Sequence, residues 1–164
     1  AFDYGTGKPS PLGMCIKNGI IYGDYMTSYS VMAVKKDGTI YTPAQGLMGK
    51  NLLAAGVKDT YNFGPVLIKD GEAQLPWAET EKYYPRTAVG MVKPNDYVLL
   101  VTDTGSYTGL NHWDMVNIFK SYGCTYAYNL DGGGSATLYF NGKVMNKLIG
   151  NTQRPCADFL YFTR

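Results

Sequence analysis

Tyr128-Asn129-Leu130-Asp131-Gly132-Gly133-Gly134-Ser135-Ala136-Thr137-Leu138-Tyr139-Phe140 carries one β-prone run into a carboxylate, three consecutive glycines and a second β-prone run. The first run, Tyr126 to Leu130, alternates in a strand-like way and ends on Asp131. Glycine loses more conformational entropy on ordering than any other residue, so three in succession mark backbone that needs positive φ or close approach. Successive N–H groups in such a turn can converge on an anion. A carboxylate beside an anion cradle makes Asp131 the leading catalytic candidate. The structural alternative is a glycine-rich hairpin in which Asp131 caps its own turn.

Hairpin signals lie on both sides of this block. Asn18-Gly19 separates Cys15-Ile16-Lys17 from Ile20-Ile21-Tyr22, and Asn141-Gly142 joins Ala136–Phe140 to Lys143-Val144. Ser30–Val34 and Thr39–Tyr41 flank the turn Lys36-Asp37-Gly38. Further strands are expected at Pro65–Lys69, Thr87–Val92, Tyr97–Thr102 and Asp158–Phe162. Two segments read as helices. Leu47–Ala55 is interrupted by Gly49, whereas Asn111–Tyr122 has Asn111 as N-cap, Asp114 at N3 and Gly123 as terminator. Trp113, Val116 and Phe119 are its expected core-facing stripe. Residues 71–85, with Pro76, Pro85 and four charges, read as a surface loop bordering a cleft. The order of elements gives an α+β fold: a single domain with a curved, mixed or largely antiparallel β-sheet and one or two packed helices.

A chain of 164 residues is long enough for one well-buried core. No apolar stretch approaches the roughly 20 residues of a membrane span. The net charge of +2 comes from scattered basic residues with no basic tract, so nucleic acid is not an expected partner. Cys15, Cys124 and Cys156 allow at most one disulfide and form no zinc pattern. The 15 tyrosines and 20 glycines fit a turn-rich β fold, and tyrosines also suit a sugar cleft.

Asp103 ends the apolar run Tyr97–Thr102 much as Asp131 ends its own. Two carboxylates at neighbouring strand ends suit glycoside chemistry, whose oxocarbenium-like transition state needs negative charge and often an acid/base partner. Arg86, after Tyr83-Tyr84-Pro85, and Arg154, before Pro155, are the arginines placed in the site, because a guanidinium binds phosphate oxygens bidentately. Asn129, Gly132, Gly133, Gly134, Ser135, Asn146, Thr87 and Asp114 complete the expected substrate contacts, although Asp114 equally suits the helix N-terminus. His112, at the same helix start, reads as a surface or capping residue. The run Leu99–Ser106 also contains Asp103-Thr104-Gly105, the turn of an aspartic protease, which would require a dimer to bring two aspartates together.

Together these motifs resemble the phosphodiester glycosidase family. The resemblance runs through Gly64–Gly71, Pro85–Gly90, Thr102-Asp103, Gly109–Met115, Asn129–Thr137, Asn146 and Arg154, and Asn129–Ser135 is its most specific block. The family's Asn-Gly-Gly-Phe-Phe-like segment is picked up partway by Ala1-Phe2-Asp3-Tyr4, so the domain is expected to span 1–164 without its first few residues. Pro155 replaces the β-branched pair expected after the arginine.

The resemblance implies hydrolysis of a sugar-1-phosphodiester, such as a GlcNAc-1-phospho-glycan, at the anomeric carbon. It implies Asp131 and Asp103 on the glycosyl side as nucleophile, base or stabiliser, with Arg86, Arg154 and the glycine turn on the phosphate. No cofactor is implied; the two carboxylates leave room for a divalent cation such as calcium, though no ligand pattern demands one. The alternative is a non-catalytic glycan-binding module of a phage tail or cell-envelope protein using the same pocket. The expected partner is a glycan containing sugar-1-phosphate, and the expected setting is extracellular, cell-envelope or phage-virion, within a larger protein or virion assembly.

Overall fold

Period-two apolar patterning dominates the chain, and it folds accordingly into strands that bury one or both faces. The structure, a computed structural model, describes residues 2–3, 10–74, 83–103 and 109–163. In chain order the elements are β1 (Phe2–Asp3), β2 (Ser10–Pro11), β3 (Cys15–Lys17), β4 (Ile20–Gly23), β5 (Ser30–Lys35), β6 (Ile40–Tyr41) and α1 (Gly49–Ala54). They continue with β7 (Val57–Phe63), β8 (Val66–Lys69), β9 (Glu72–Ala73), β10 (Thr87–Lys93) and β11 (Asp96–Val101). After α2 (His112–Ser121) come β12 (Tyr126–Leu130), β13 (Tyr139–Phe140) and β14 (Lys143–Val144).

The architecture is α+β, and all described strand pairings are antiparallel. The strands are shared between a five-stranded sheet ordered β11-β10-β12-β8-β9, a three-stranded sheet ordered β6-β5-β7, and three two-stranded ribbons. Met32, Ile40 and Tyr61 of the smaller sheet pack against Val89, Met91, Tyr126 and Tyr128 of the larger one. On the other face of the larger sheet, α2 buries Met115, Val116 and Phe119 against Leu67, Ile68, Ala88 and Ala127. On the outer face of the smaller sheet, Leu52 of α1 packs with Met14, Ile16, Val31, Ala33 and Val57. The result is a layered stack with α2 on one outer side and α1 with the β3–β4 hairpin on the other.

The expected Asn-Gly turns form with both residues at positive φ, at Asn18-Gly19 (50° and 77°) and Asn141-Gly142 (48° and 83°). That is the backbone a two-residue hairpin needs to match strand twist. Helix α2 carries the full capping box: Asn111 Oδ1 accepts the Asp114 N–H at 2.8 Å, and Asp114 Oδ2 accepts the Asn111 N–H at 3.3 Å.

Four local expectations change. The core stripe of α2 is His112, Met115, Val116 and Phe119, spaced i, i+3, i+4, i+7, while Trp113 is 39% exposed. The phase is set by Met115 and Phe119, which puts Trp113 off the buried face. His112 is accordingly buried rather than superficial. Residues 158–162 form no strand. They run as a strap in which Leu160 packs on the inter-sheet core, Phe162 meets the Tyr97 ring at 5.2 Å and Asp158 pairs with Lys17 at 2.9 Å. Within the loop expected at 71–85, Glu72-Ala73 pairs with β8 through the turn Asp70-Gly71; residues 75–82 lie outside the described residues.

Candidate active site

The larger sheet ends in a cluster of polar side chains because β10 and β12 stop together. Their ladder closes at Thr87↔Leu130, with Ala88↔Asn129 one step inside. The two chains stay side by side beyond it: the Gly133 N–H donates to Pro85 O at 2.8 Å. Arg86 and Asp131 therefore follow the ladder on adjacent chains. The approach is close enough that a Cβ on Gly132 would collide with Pro85 O. Here the glycine is required by contact, and at Gly133 by a φ of 57°.

Asp131 is held at both oxygens. Its Oδ1 accepts the Gly132 N–H at 2.8 Å, and its Oδ2 accepts the Ser135 hydroxyl at 2.7 Å and Arg154 Nη2 at 2.7 Å. Arg154 also donates from Nε to Ser135 Oγ at 2.9 Å, and Nη2 contacts the same oxygen. Ser135 is thus the hinge between carboxylate and guanidinium, placed there by the single turn of 3-10 helix at Gly133–Ser135. The Cys156 thiol lies against Ser135 Oγ at 3.3 Å. Gly134 passes the Arg154 side chain with space for no more than ordinary contact.

Arg86 is fixed from the other flank. Its backbone exchanges bonds with Thr102, whose Oγ1 accepts the Arg86 N–H at 2.8 Å and whose N–H reaches Arg86 O at 3.0 Å. The guanidinium donates Nε to Leu110 O at 3.0 Å, beside the start of α2, and lies over the Tyr84 ring at 5.1 Å. An arginine and a helix N-terminus therefore border the same sheet end, where both favour an anion.

Other expected residues take supporting places. Asp103 accepts the Lys147 N–H at 2.7 Å, and neighbouring Asn146 ties Leu138 N to its Oδ1 at 2.7 Å and Ala136 O to its Nδ2 at 2.9 Å. Asp103 and Asn146 thus secure the base of the β13–β14 hairpin that follows Ser135. Asn129 is 1% exposed and donates Nδ2 to Gly64 O at 2.7 Å; its buried Oδ1 has no hydrogen-bond partner among the described residues. Thr87 shares a face with Leu130, which packs on the inter-sheet core, so strand alternation turns it away from Arg86. Asp114 is engaged in the α2 capping box. Ala1 and Tyr4 of the expected N-terminal motif, and Thr104-Gly105 of the protease-like turn, lie outside the described residues.

Sequence reasoning placed His112 at the surface, but it is 4% exposed at the first turn of α2, on the side facing the sheet. Its i, i+3, i+4 spacing to Met115 and Val116 was the readable signal. Among the described residues no group of three or more His, Cys, Asp or Glu side chains could hold a metal ion. No helix among them is long and apolar enough to cross a membrane.

The comparison that decides the family is a match of residues 1–163 to the phosphodiester glycosidase model. The chain belongs to the phosphodiester glycosidase family. A Bacillus subtilis relative, the SPbeta prophage-derived uncharacterized protein YomE, is 31% identical over 160 residues, covering 91% of this chain and 25% of that protein. The mouse N-acetylglucosamine-1-phosphodiester alpha-N-acetylglucosaminidase is 28% identical over 156 residues, covering 79% of this chain and 29% of that protein. The chain thus spans little more than a quarter of either curated relative. The catalytic domain of the zebrafish N-acetylglucosamine-1-phosphodiester alpha-N-acetylglucosaminidase, auto-inhibited by its pro-peptide, superposes with a TM-score of 0.75 at 23% identity. That match covers 95% of this chain and 58% of the zebrafish one. A hypothetical protein from Synechocystis matches at a TM-score of 0.51 and 16% identity over 78% of this chain and 32% of its own. These two structures show that the family fold is present.

Proposed function

We propose that this domain hydrolyses a sugar-1-phosphodiester at the anomeric carbon, with a GlcNAc-1-phospho-glycan as the substrate class. Water adds to C1, the C1–O bond breaks with its electrons going to the phosphate, the water's second proton passes to the phosphomonoester, and the free sugar and phosphomonoester leave. A phosphomonoester is a good leaving group, so charge stabilisation matters more than strong general-acid help. The observation that carries this reading is the fixed Asp131–Ser135–Arg154 unit beside Arg86 at one sheet end.

Because both Asp131 oxygens are already bonded, the geometry favours a fixed negative charge facing the oxocarbenium-like transition state over a freely swinging base. Arg154, Arg86 and the N–H groups of the glycine turn serve the phosphodiester. Asp103 remains the second carboxylate, acting near the β13–β14 hairpin whose base it holds. The phage or cell-envelope setting belongs to the same proposal, supported by the prophage-derived relative.

The test is release of sugar and phosphomonoester from the methyl phosphodiester of GlcNAc-1-phosphate, with Asp131→Asn abolishing turnover in a folded protein. Full activity in that variant removes Asp131 from the mechanism. Phosphoglycan binding by the unaltered protein without turnover selects the non-catalytic binding module instead.

A further inference from the structure

Beside the edge of the smaller sheet runs a cleft of about 240 Å³, lined by Met14, Met26, Ser28, Tyr29, Thr42 and Gln45 among others. No charged residue lines it among the described residues. Tyr29 is 41% exposed and lies parallel to the Phe63 ring, with centroids 6.0 Å apart and planes at 13°. The ring is therefore a braced, solvent-facing platform. Ser28 and Gln45 add a hydroxyl and an amide to an otherwise largely apolar lining, while the Thr42 hydroxyl is bonded to Tyr126 Oη at 2.6 Å. An aromatic face beside neutral hydrogen-bonding groups matches a pyranose, which has an apolar C–H face and an equatorial belt of hydroxyls.

Hydrogen bonds link the wall of the cleft to the strand that carries Asp131. Ser30 begins β5 and pairs with Phe63. Tyr128 Oη of the larger sheet donates to Ser30 O at 2.6 Å and accepts the Phe63 N–H at 2.8 Å. The next residue, Gly64, donates its N–H to Asn129 O at 3.0 Å and accepts Asn129 Nδ2 at 2.7 Å. Asn129 in turn lies two residues before Asp131 on the same strand.

We propose that this cleft is a second subsite that binds one neutral sugar unit of the substrate's glycan, remote from the bond that is cleaved. The inference rests on the hydrolytic reading for its role in turnover. Its volume lies below the roughly 300–1,000 Å³ of drug-sized sites and suits one monosaccharide rather than a longer segment. The lack of charge assigns the phosphate to the Arg86 and Arg154 end and the neutral sugar to this one. The Ser28 hydroxyl and the Gln45 amide in its lining favour a sugar over an acyl chain, which would offer them no hydrogen-bond partner.

The experiment compares two substrates and one phosphate-free probe. The substrates are the methyl phosphodiester of GlcNAc-1-phosphate and the same group esterified to a neutral tetrasaccharide; the probe is the free tetrasaccharide. Ala44→Arg, from an exposed position lining the cleft, and Tyr29→Ala are the variants. The expected result is a KM for the tetrasaccharide ester raised roughly tenfold or more in Ala44→Arg and in the same direction in Tyr29→Ala, with both constants for the methyl ester unchanged. The free tetrasaccharide should shift the NMR signals of Tyr29 and Thr42 in the unaltered protein and not in Ala44→Arg.

Equal effects on both substrates, tetrasaccharide binding that survives Ala44→Arg, or no binding at all overturns the subsite. So does preferential binding of a fatty-acyl probe, or a dimer that Ala44→Arg dissociates. If neither ester is cleaved, the hydrolytic reading fails, while the tetrasaccharide titration still decides the subsite.

Discussion

Arg154 Nη2 lies 2.7 Å from Asp131 Oδ2 across 23 residues of sequence, and Ser135 Oγ bonds to both side chains. Arg154 is 40% exposed and Asp131 24% exposed, so the pair adds only about 0–1 kcal/mol of stability. Its main consequence is orientation: the carboxylate is locked at the sheet end, and the guanidinium is delivered there from the segment that follows the 3-10 turn at Ile149–Asn151.

Arg154→Lys should therefore separate charge from geometry. Lysine keeps the positive charge but lacks the planar fork that reaches Asp131 and Ser135 together. The variant should lose roughly a hundredfold in kcat/KM while its melting temperature stays within a few degrees. Steady-state kinetics beside thermal denaturation reads both. An unchanged kcat/KM would reduce Arg154 to a surface ion pair.

Gly132→Ala tests the glycine turn itself. A methyl group there meets Pro85 O and pushes the Asp131 chain away from Arg86, breaking the 2.8 Å bond from Gly133 N to Pro85 O. A destabilisation of about 1–3 kcal/mol is expected in urea, with loss of activity in the molecules that still fold. Wild-type activity in this variant would detach the turn from the site.

Gly90→Ala is the matching core control. Its Cβ would sit 2.5 Å from Phe119 and 2.7 Å from Cys124 Sγ, between α2 and the larger sheet. The expected cost is also about 1–3 kcal/mol, but with kcat per folded molecule retained, because this contact is remote from Asp131. Loss of kcat in folded protein would show that α2 packing controls the site.

The alkaline limit of the fold should be set by its buried tyrosines. Burial pushes the Tyr128 hydroxyl up to about 12, and burial raises Tyr61 and Tyr126 as well. In the unfolded chain these groups ionise near pH 10, while the folded state still holds their protons. The unfolded state thus binds fewer protons across that interval, and the tyrosines' contribution to stability, complete below about pH 10, falls as pH rises toward 12. Urea midpoints measured from pH 8 to 12 should decline most in the upper half, after a smaller loss from the Cys15 and Cys124 thiols that burial also pushes up, and Tyr128→Phe should flatten the upper decline. A flat profile in the unaltered protein would contradict the burial of these hydroxyls.

Where local chemistry decided the outcome, the sequence was legible. Asn18-Gly19 and Asn141-Gly142 marked their hairpins, Asn111 and Asp114 marked the capped start of α2, and Asp131 with its glycines marked the turn that ends β12 beside Arg86. What escaped depended on distant partners. Strand β7 (Val57–Phe63) was not among the expected strands, and its polar Thr60 and Asn62 are buried with bonds to Met14 O at 2.9 and 2.8 Å. Asp158–Phe162 has strand-like composition, but its side chains dock onto Tyr97 and the inter-sheet core without a ladder. His112 looked superficial because burial of a helix start depends on the sheet beneath it. The Asp131–Arg154 contact likewise joins residues that no local pattern connects.

The position of bond cleavage distinguishes a glycosidase from a phosphodiesterase. The folded domain is given the methyl phosphodiester of GlcNAc-1-phosphate in heavy-oxygen water, and both products are weighed by mass spectrometry. Hydrolysis at the anomeric carbon places the label on the C1 hydroxyl of the released sugar and none in methyl phosphate, with Asp131→Asn releasing neither. Label in the phosphate would mean attack at phosphorus and would contradict it.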